Sequence, residues 1–417
     1  MRAARRILAL ALATVVAGSL PAQAAPLPLG TPRLTERRAT RTVTTGVTWT
    51  TIVRARSATG PRTTDRWSVN VLTVDRRRLT GRMGALLSNG FVPGLEPVSA
   101  MGRRAGALAG VNASFYVAAG DPAGALSTPG GLVSEPISGR SALLVPRSPV
   151  ARVAIGPLSF AGSVTVDGRS RYLDGVDRQR GQIPNCGGRG GDVPTQLPRF
   201  AVTCTDSSEL VVLSPRFGAR TLTGPTGVEV VIRAGAVTSV RSGGNTAIPR
   251  GGYVLSGSGD AATFLRSAAQ PGARVSVSTT LARGAARLTP SAYDAVVSGG
   301  PRLLTGGRTT VAGVAEGFDF AGGGVLYRSF AARNPRTLAG VTADGRLLLV
   351  TVDGRRAGFS VGTTLSESAG VMRALGAVDA MNLDGGGSTT MVVGGRVVNR
   401  PSDGRERAVS DGLFVLP

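Results

Sequence analysis

Sixty glycines interrupt this 417-residue chain so often that no long helix can dominate it. Between the glycines, prolines and aspartates lie short runs rich in Val, Ile, Leu and Thr, the pattern of strands closed by tight turns. Val69–Val74, Ala107–Val111, Val228–Ile232, Val275–Thr280 and Leu347–Val352 are the clearest. Two helical patterns interrupt the strands: Asp260–Ala269, with Ser258 placed to cap it, and Leu365–Leu375, with Gly376 just past its end. The expected fold is α+β: one sheet-dominated catalytic domain with a few short helices. Residues 45–417 form the expected unit, residues 25–44 a flexible, solvated lead-in, and residues 150–290 a possible inserted subdomain.

Composition removes whole classes of chemistry. The chain has no His, and all 48 basic residues are Arg. A Ser-His-Asp triad, an imidazole base, His-ligated zinc, a Walker lysine and a Schiff-base lysine are therefore impossible. Carboxylates, hydroxyls, amides, guanidinium groups and the backbone must do whatever is done.

The N-terminus has the three parts of a secretory signal over residues 1–24. Arg2, Arg5 and Arg6 form the charged start, Ile7–Leu20 the apolar stretch, and Ala22-Gln23-Ala24 the cleavage site. The apolar stretch is too short to span a membrane, and no later one is long enough. A secreted, extracellular protein is expected. Losing three Arg lowers the net charge from +23 to +20. Such a charge attracts a phosphorylated glycan or an anionic cell-wall polymer. Nucleic acid is not expected as a partner, because aromatic residues make up only 4% of the chain. In an exported chain the isolated pair Cys186 and Cys204 is expected to form a disulfide, closing a loop of about 19 residues for roughly 3 kcal/mol.

The segment richest in chemistry is Asn382-Leu383-Asp384-Gly385-Gly386-Gly387-Ser388-Thr389-Thr390-Met391. Read as a strand, it points Asn382 and Asp384 the same way, with Asp384 at the strand's end. The glycines that follow can bring backbone N–H groups close to an anion. A hairpin whose Asp only stabilises its own turn fits equally well. Glu367, three residues after Thr364, has capping-box spacing, yet its helix leads directly to the Asp384 strand. Arg302 in Gly299–Leu304 and Arg336 in Asn334–Thr337 each sit beside a proline. Arg is the residue for a bidentate grip on phosphate. Asn112, in Asn112-Ala113-Ser114-Phe115-Tyr116, ends an apolar strand ahead of two aromatics. Asn399–Arg407 is a charged turn before the closing strand.

Together the stretches Asn112–Tyr116, Gly299–Leu304, Asn334–Thr337, Asn382–Met391 and Asn399–Arg407 resemble the phosphodiester glycosidase family, in the family's order. The resemblance covers about residues 110–135 and 295–417. Ala113-Ser114 departs from it, standing where a glycine-rich pair is expected. The resemblance implies hydrolysis of the bond between a sugar's anomeric carbon and a phosphodiester oxygen. It makes Asp384 the catalytic carboxylate and Glu367 the second one. Asn112, Arg302, Arg336, Thr337, Asn382, Gly385, Gly386, Gly387, Ser388 and Arg407 are then substrate- or phosphate-binding candidates. No cofactor and no protein metal ligand is expected, with a divalent cation left open. Two other readings stand beside this one: a metal-assisted phosphodiesterase, and a non-catalytic polyanion-binding wall protein.

Overall fold

The computed structural model of the protein describes residues 25–56, 65–137, 139–181, 183, 193–194, 204–318 and 325–417. The expected signal segment and Cys186 lie outside these residues.

Three antiparallel sheets surround the central core. The largest has eight strands, in the order Thr35–Thr44, Val47–Ala55, Arg66–Val74, Leu347–Val352, Arg336–Thr342, Ala377–Asn382, Arg302–Thr305 and Arg308–Thr309. A five-stranded sheet runs Arg396–Val397, Met391–Val393, Ala109–Asn112, Asp411–Leu416 and Arg82–Leu87. A second five-stranded sheet is built from Gly131–Ser134, Leu126–Thr128, Tyr293–Ser298, Ser141–Pro146 and Ala154–Pro157.

Alternation along the strands decides what is buried where. Leu347 and Leu349 face the central core with Val111, Leu413 and Val297. Leu348, Val350 and Val352 face the other way, under the helix Leu365–Ala374 and its Leu365, Ala369 and Met372. Both faces of Leu347–Val352 are therefore covered, which is why every residue of the strand but Thr351 is apolar. Each buried Leu contributes about 1.5–3 kcal/mol. The covering helix starts at a complete Thr364/Glu367 capping box. It stops before Gly376, whose φ of 90° suits glycine.

Residues 159–288 contribute two more sheets. One pairs Ser159–Val166 with Arg169–Tyr172 and Val275–Arg283. The other is centred on Gly252–Gly257, between Leu210–Leu213 and Val228–Arg233. They share an apolar cluster of their own, with Val164, Leu210, Val230, Leu255 and Leu265 of the helix Gly259–Ala268. Val211, Leu213 and Val254 point away from it into the central core.

The protein is sheet-dominated, with four α-helices among the described residues. Two local expectations are corrected. Residues 25–44 are not a flexible lead-in: Thr35–Thr44 is an edge strand paired with Val47–Ala55, and Leu27 and Leu29 are fully buried. Its strand pattern was hidden because the exposed edge carries Arg and Thr instead of apolar residues. Ser258 precedes the helix Gly259–Ala268 but makes no side-chain cap; its hydroxyl accepts from the Glu209 N–H at 3.1 Å.

Candidate active site

Asp384 sits where the eight-stranded sheet meets the five-stranded one. The strand Ala377–Asn382 has just ended, and Leu383 N–H donates to the Thr337 carbonyl (2.8 Å). Asp384 N–H then donates to the carbonyl of Ala113, beyond the end of Ala109–Asn112 in the other sheet (2.9 Å). Asn112 closes the junction. Its amide nitrogen donates to the Asp384 carbonyl at 2.7 Å. Its amide oxygen accepts from the Thr337 hydroxyl at 2.7 Å and the Thr390 N–H at 3.1 Å.

The glycines after Asp384 are needed for close approach. A Cβ on Gly385 would lie 2.8 Å from the Pro335 carbonyl oxygen. Gly386 has φ +61°, a region that glycine enters without strain. A Cβ on Gly387 would collide with Arg407 Nη2 and Asp403 Oδ2. The N–H groups of Gly386, Ser388 and Thr389 bond to the carbonyls of Pro335, Gly385 and Gly386. The turn is thus held largely by its own backbone.

This turn forms the floor of a cleft of about 500 Å³. Phe115, Tyr116, Phe330, Arg336 and Arg355 line it, and Arg407 stands beside Gly387. Burial is the main force on Asp384, pushing its carboxyl up to about 7. The Ser388 hydroxyl, the Arg407 charge and the Gly385 N–H oppose that push, while Asp411 adds to it. Burial and the neighbouring Asp384 charge also raise the Tyr116 phenol, whose hydroxyl donates to the Ala408 carbonyl at 3.1 Å. Arg407 donates through Nε and Nη2 to Asp403 Oδ2 (2.9 and 2.7 Å). Arg355 donates through the same pair of atoms to a neutral acceptor, Asn334 Oδ1 (2.9 and 2.6 Å). Its φ of 56° is unusual for a residue with a side chain.

The residues expected from the sequence divide into three groups. Arg336, Asp384, Gly385, Gly386, Gly387, Ser388 and Arg407 line the cleft. Asn112, Thr337 and Asn382 are fully buried behind its floor. Asn382 donates to the carbonyls of Gly300 (3.0 Å) and Leu383 (2.6 Å), so it does not share a cleft face with Asp384. Arg302, expected to bind phosphate, and Glu367, expected as the second carboxylate, are not on the lining, which corrects both expectations for this cleft. Arg302 lies in a strand paired with Ala377–Asn382, its N–H on Glu316 Oε1 (3.1 Å). Glu367 completes the helix cap and pairs with Arg333 at 2.5 Å.

Arg336 lines the cleft, but its Nε and Nη2 are committed to backbone carbonyls. Nε bonds the Thr363 carbonyl (3.0 Å), and Nη2 bonds the carbonyls of Phe330 and Ala332 (both 2.7 Å). Those contacts hold the end of the helix Val325–Ala331. Burial and the nearby Arg355 charge both work against its charged form.

Sequence reasoning missed Arg355, Phe330 and the place of Tyr116. Tyr116 was inside a quoted motif. Arg355 follows the strongest strand, Leu347–Val352, across the short Asp353-Gly354 link, and a charged residue at such a strand end was the available signal.

Residues 226–416 match the family model described as phosphodiester glycosidase. A protein of Burkholderia pseudomallei K96243, named as exported, is 30% identical with a TM-score of 0.85; the match covers 95% of this chain and 99% of that one. A Synechocystis protein shares the fold at 22% identity and a TM-score of 0.67, over 88% of this chain and 62% of its own. The SPbeta prophage-derived protein YomE of Bacillus subtilis (strain 168) is 41% identical over 83 residues, which span 20% of this chain and 13% of that protein's length.

Proposed function

Because this chain belongs to the phosphodiester glycosidase family, carrying its domain over residues 226–416, we propose that it is a secreted hydrolase. Its substrate is a sugar-1-phosphodiester in a glycan or cell-wall polymer, and it cleaves the bond between the anomeric carbon and the phosphodiester oxygen. The observation that carries this reading is a turn with two arginines on it. Gly386 and Gly387 lie against Arg355 and Arg407 respectively, and Asp384 stands one residue before the glycines in the same cleft.

The chemistry fits a chain without His or Lys. The departing group is a phosphate monoester whose second pKa is about 6, so it leaves as a stable anion with little need of a proton donor. What the reaction needs is a grip on that anion and a negative group facing the cation that develops on the sugar ring. Arg355 and Arg407 serve the grip. Ionised Asp384 serves the second need, and a carboxyl poised near 7 is also a base matched to neutral pH. The C1–O bond breaks with its electron pair going to phosphate. Water oxygen ends on C1, one of its protons stays on the new hydroxyl, and the other passes to solvent through Asp384. Phe115 and Phe330, whose ring centroids are 6.2 Å apart, offer an apolar wall for the ring.

Export of the chain is supported by the name of the Burkholderia relative. The separate apolar cluster of residues 159–288 supports a subdomain inserted in the catalytic unit.

A panel of aryl and nucleoside sugar-1-phosphodiesters, with products read by ¹H and ³¹P NMR, tests the reading. A free reducing sugar plus a phosphomonoester is expected. Sugar 1-phosphate plus an alcohol, or no turnover on any member, overturns it.

A further inference from the structure

Just off the lining of the cleft, against Gly387 and Arg407, lies a carboxylate that phosphate binding does not call for. Asp403 Oδ2 accepts from Arg407 Nε and Nη2 (2.9 and 2.7 Å) and lies against Gly387, where even a methyl group would strike it. The opposing Arg355 is held by the neutral Asn334 amide. The two guanidinium groups beside the turn thus share one carboxylate partner, Asp403 on Arg407, with Asp384 as a second negative charge in the cleft once ionised. Buried Arg336 is the remaining cation on the lining.

We propose that Asp403 is a specificity residue that makes this anion subsite accept a singly charged phosphodiester and reject a doubly charged phosphomonoester. The inference rests on the reading of the cleft as a phosphodiester glycosidase site. A diester carries one negative charge throughout the neutral range. The monoester left after cleavage carries nearly two above pH 7, since its second pKa is about 6. With Asp403 in place, the net field of the Arg355, Arg407 and Asp403 group matches one negative charge. The additional charge meets Asp403 at short range and is repelled. The consequence is directional: the monoanionic substrate is held, and the product, formed as the dianion when the C1–O electron pair goes to phosphate, is driven out. Asp403 and Arg407 are both partly exposed, with side chains 35% and 44% accessible, so solvent and salt screen the effect and keep it moderate. Without the carboxylate, the two arginines would favour the dianion and the enzyme would retain its product.

The test uses the whole protein, with dimethyl phosphate as the monoanion probe and methyl phosphate as the dianion probe. Binding is measured by calorimetry at pH 8 and low salt for the wild type, Asp403→Asn and Asp403→Glu. Asp403 sits in an exposed turn, and unfolding curves check that each variant is folded. Wild type should bind dimethyl phosphate at least as tightly as methyl phosphate. Asp403→Asn should tighten methyl phosphate about fivefold while changing dimethyl phosphate less than twofold, and Asp403→Glu should restore the original ratio. If both probes bind but Asp403→Asn leaves their ratio unchanged, Asp403 does not discriminate charge. If neither probe binds wild type or variant at millimolar concentration, the anion subsite itself fails and this inference falls with it.

Discussion

The amide nitrogen of Asn112 donates to the main-chain carbonyl of Asp384 at 2.7 Å, joining two residues 272 positions apart and two different sheets. The same side chain receives the Thr337 hydroxyl and the Thr390 N–H. Three separated stretches of sequence therefore meet at one buried amide. The position of the Asp384 carboxylate depends on all of them.

Asn112→Ala leaves a carbonyl, a hydroxyl and an N–H without their buried partner. A stability loss of about 2–4 kcal/mol is expected. Turnover should fall more than tenfold even below the unfolding temperature, because Asp384 loses its anchor. Urea titration and kcat at 20 °C check both. Native stability together with native turnover would show that the clip is dispensable.

The pH dependence follows from the sign of the Asp384 shift. Burial raises its carboxyl from the usual range to about 7, so the ionised form predominates only above that pH. If the carboxylate form is the working one, kcat/KM rises as pH increases through about 7, and Asp384→Asn abolishes that limb. A profile falling through the same region would assign the role to the protonated acid.

Arg355 and Arg336, both on the cleft lining, are expected to separate cleanly. Arg355→Ala should raise KM at least about tenfold with an unchanged melting temperature, since it is exposed and, among the described residues, its guanidinium is held by Asn334. Arg336→Met should lower the melting temperature, because three backbone carbonyls lose a buried donor. Thermal unfolding and initial rates on the two variants distinguish grip from scaffold; a reversed pattern would exchange their roles.

Gly387→Ala places a methyl group where Arg407 and Asp403 already meet. Activity should fall about 10²-fold while the melting temperature moves little, since the displaced pair is at the surface. A variant as active as wild type would mean that the close approach of Arg407 to the turn is unimportant.

How much of this was legible in the sequence follows from range. Leu347–Val352 was readable residue for residue because both of its faces are buried and it is apolar or β-branched at every position. The Asp384 turn was readable because three consecutive glycines are rarely tolerated without a need for close approach. Glu367 was ambiguous for a local reason: a capping box has the same spacing whether or not a cleft lies nearby. Arg302 and Arg336 carry the same proline-flanked pattern, and only pairing decides that one faces the sheet and the other the helix end. Arg355 was hidden because its partner, Asn334, reaches it only through the register that sets Arg336 beside Val352. The strand Thr35–Thr44 was hidden because an exposed edge shows no apolar alternation.

Hydrolysis of a sugar-1-phosphodiester in ¹⁸O-labelled water, with both products analysed by mass spectrometry, is the most direct measurement. If Asp384 serves attack at the anomeric carbon, the label appears in the reducing sugar and the phosphomonoester stays unlabelled, with turnover at least about 10²-fold lower in Asp384→Asn. Label in the phosphate would place cleavage at the P–O bond and contradict the mechanism proposed for this cleft.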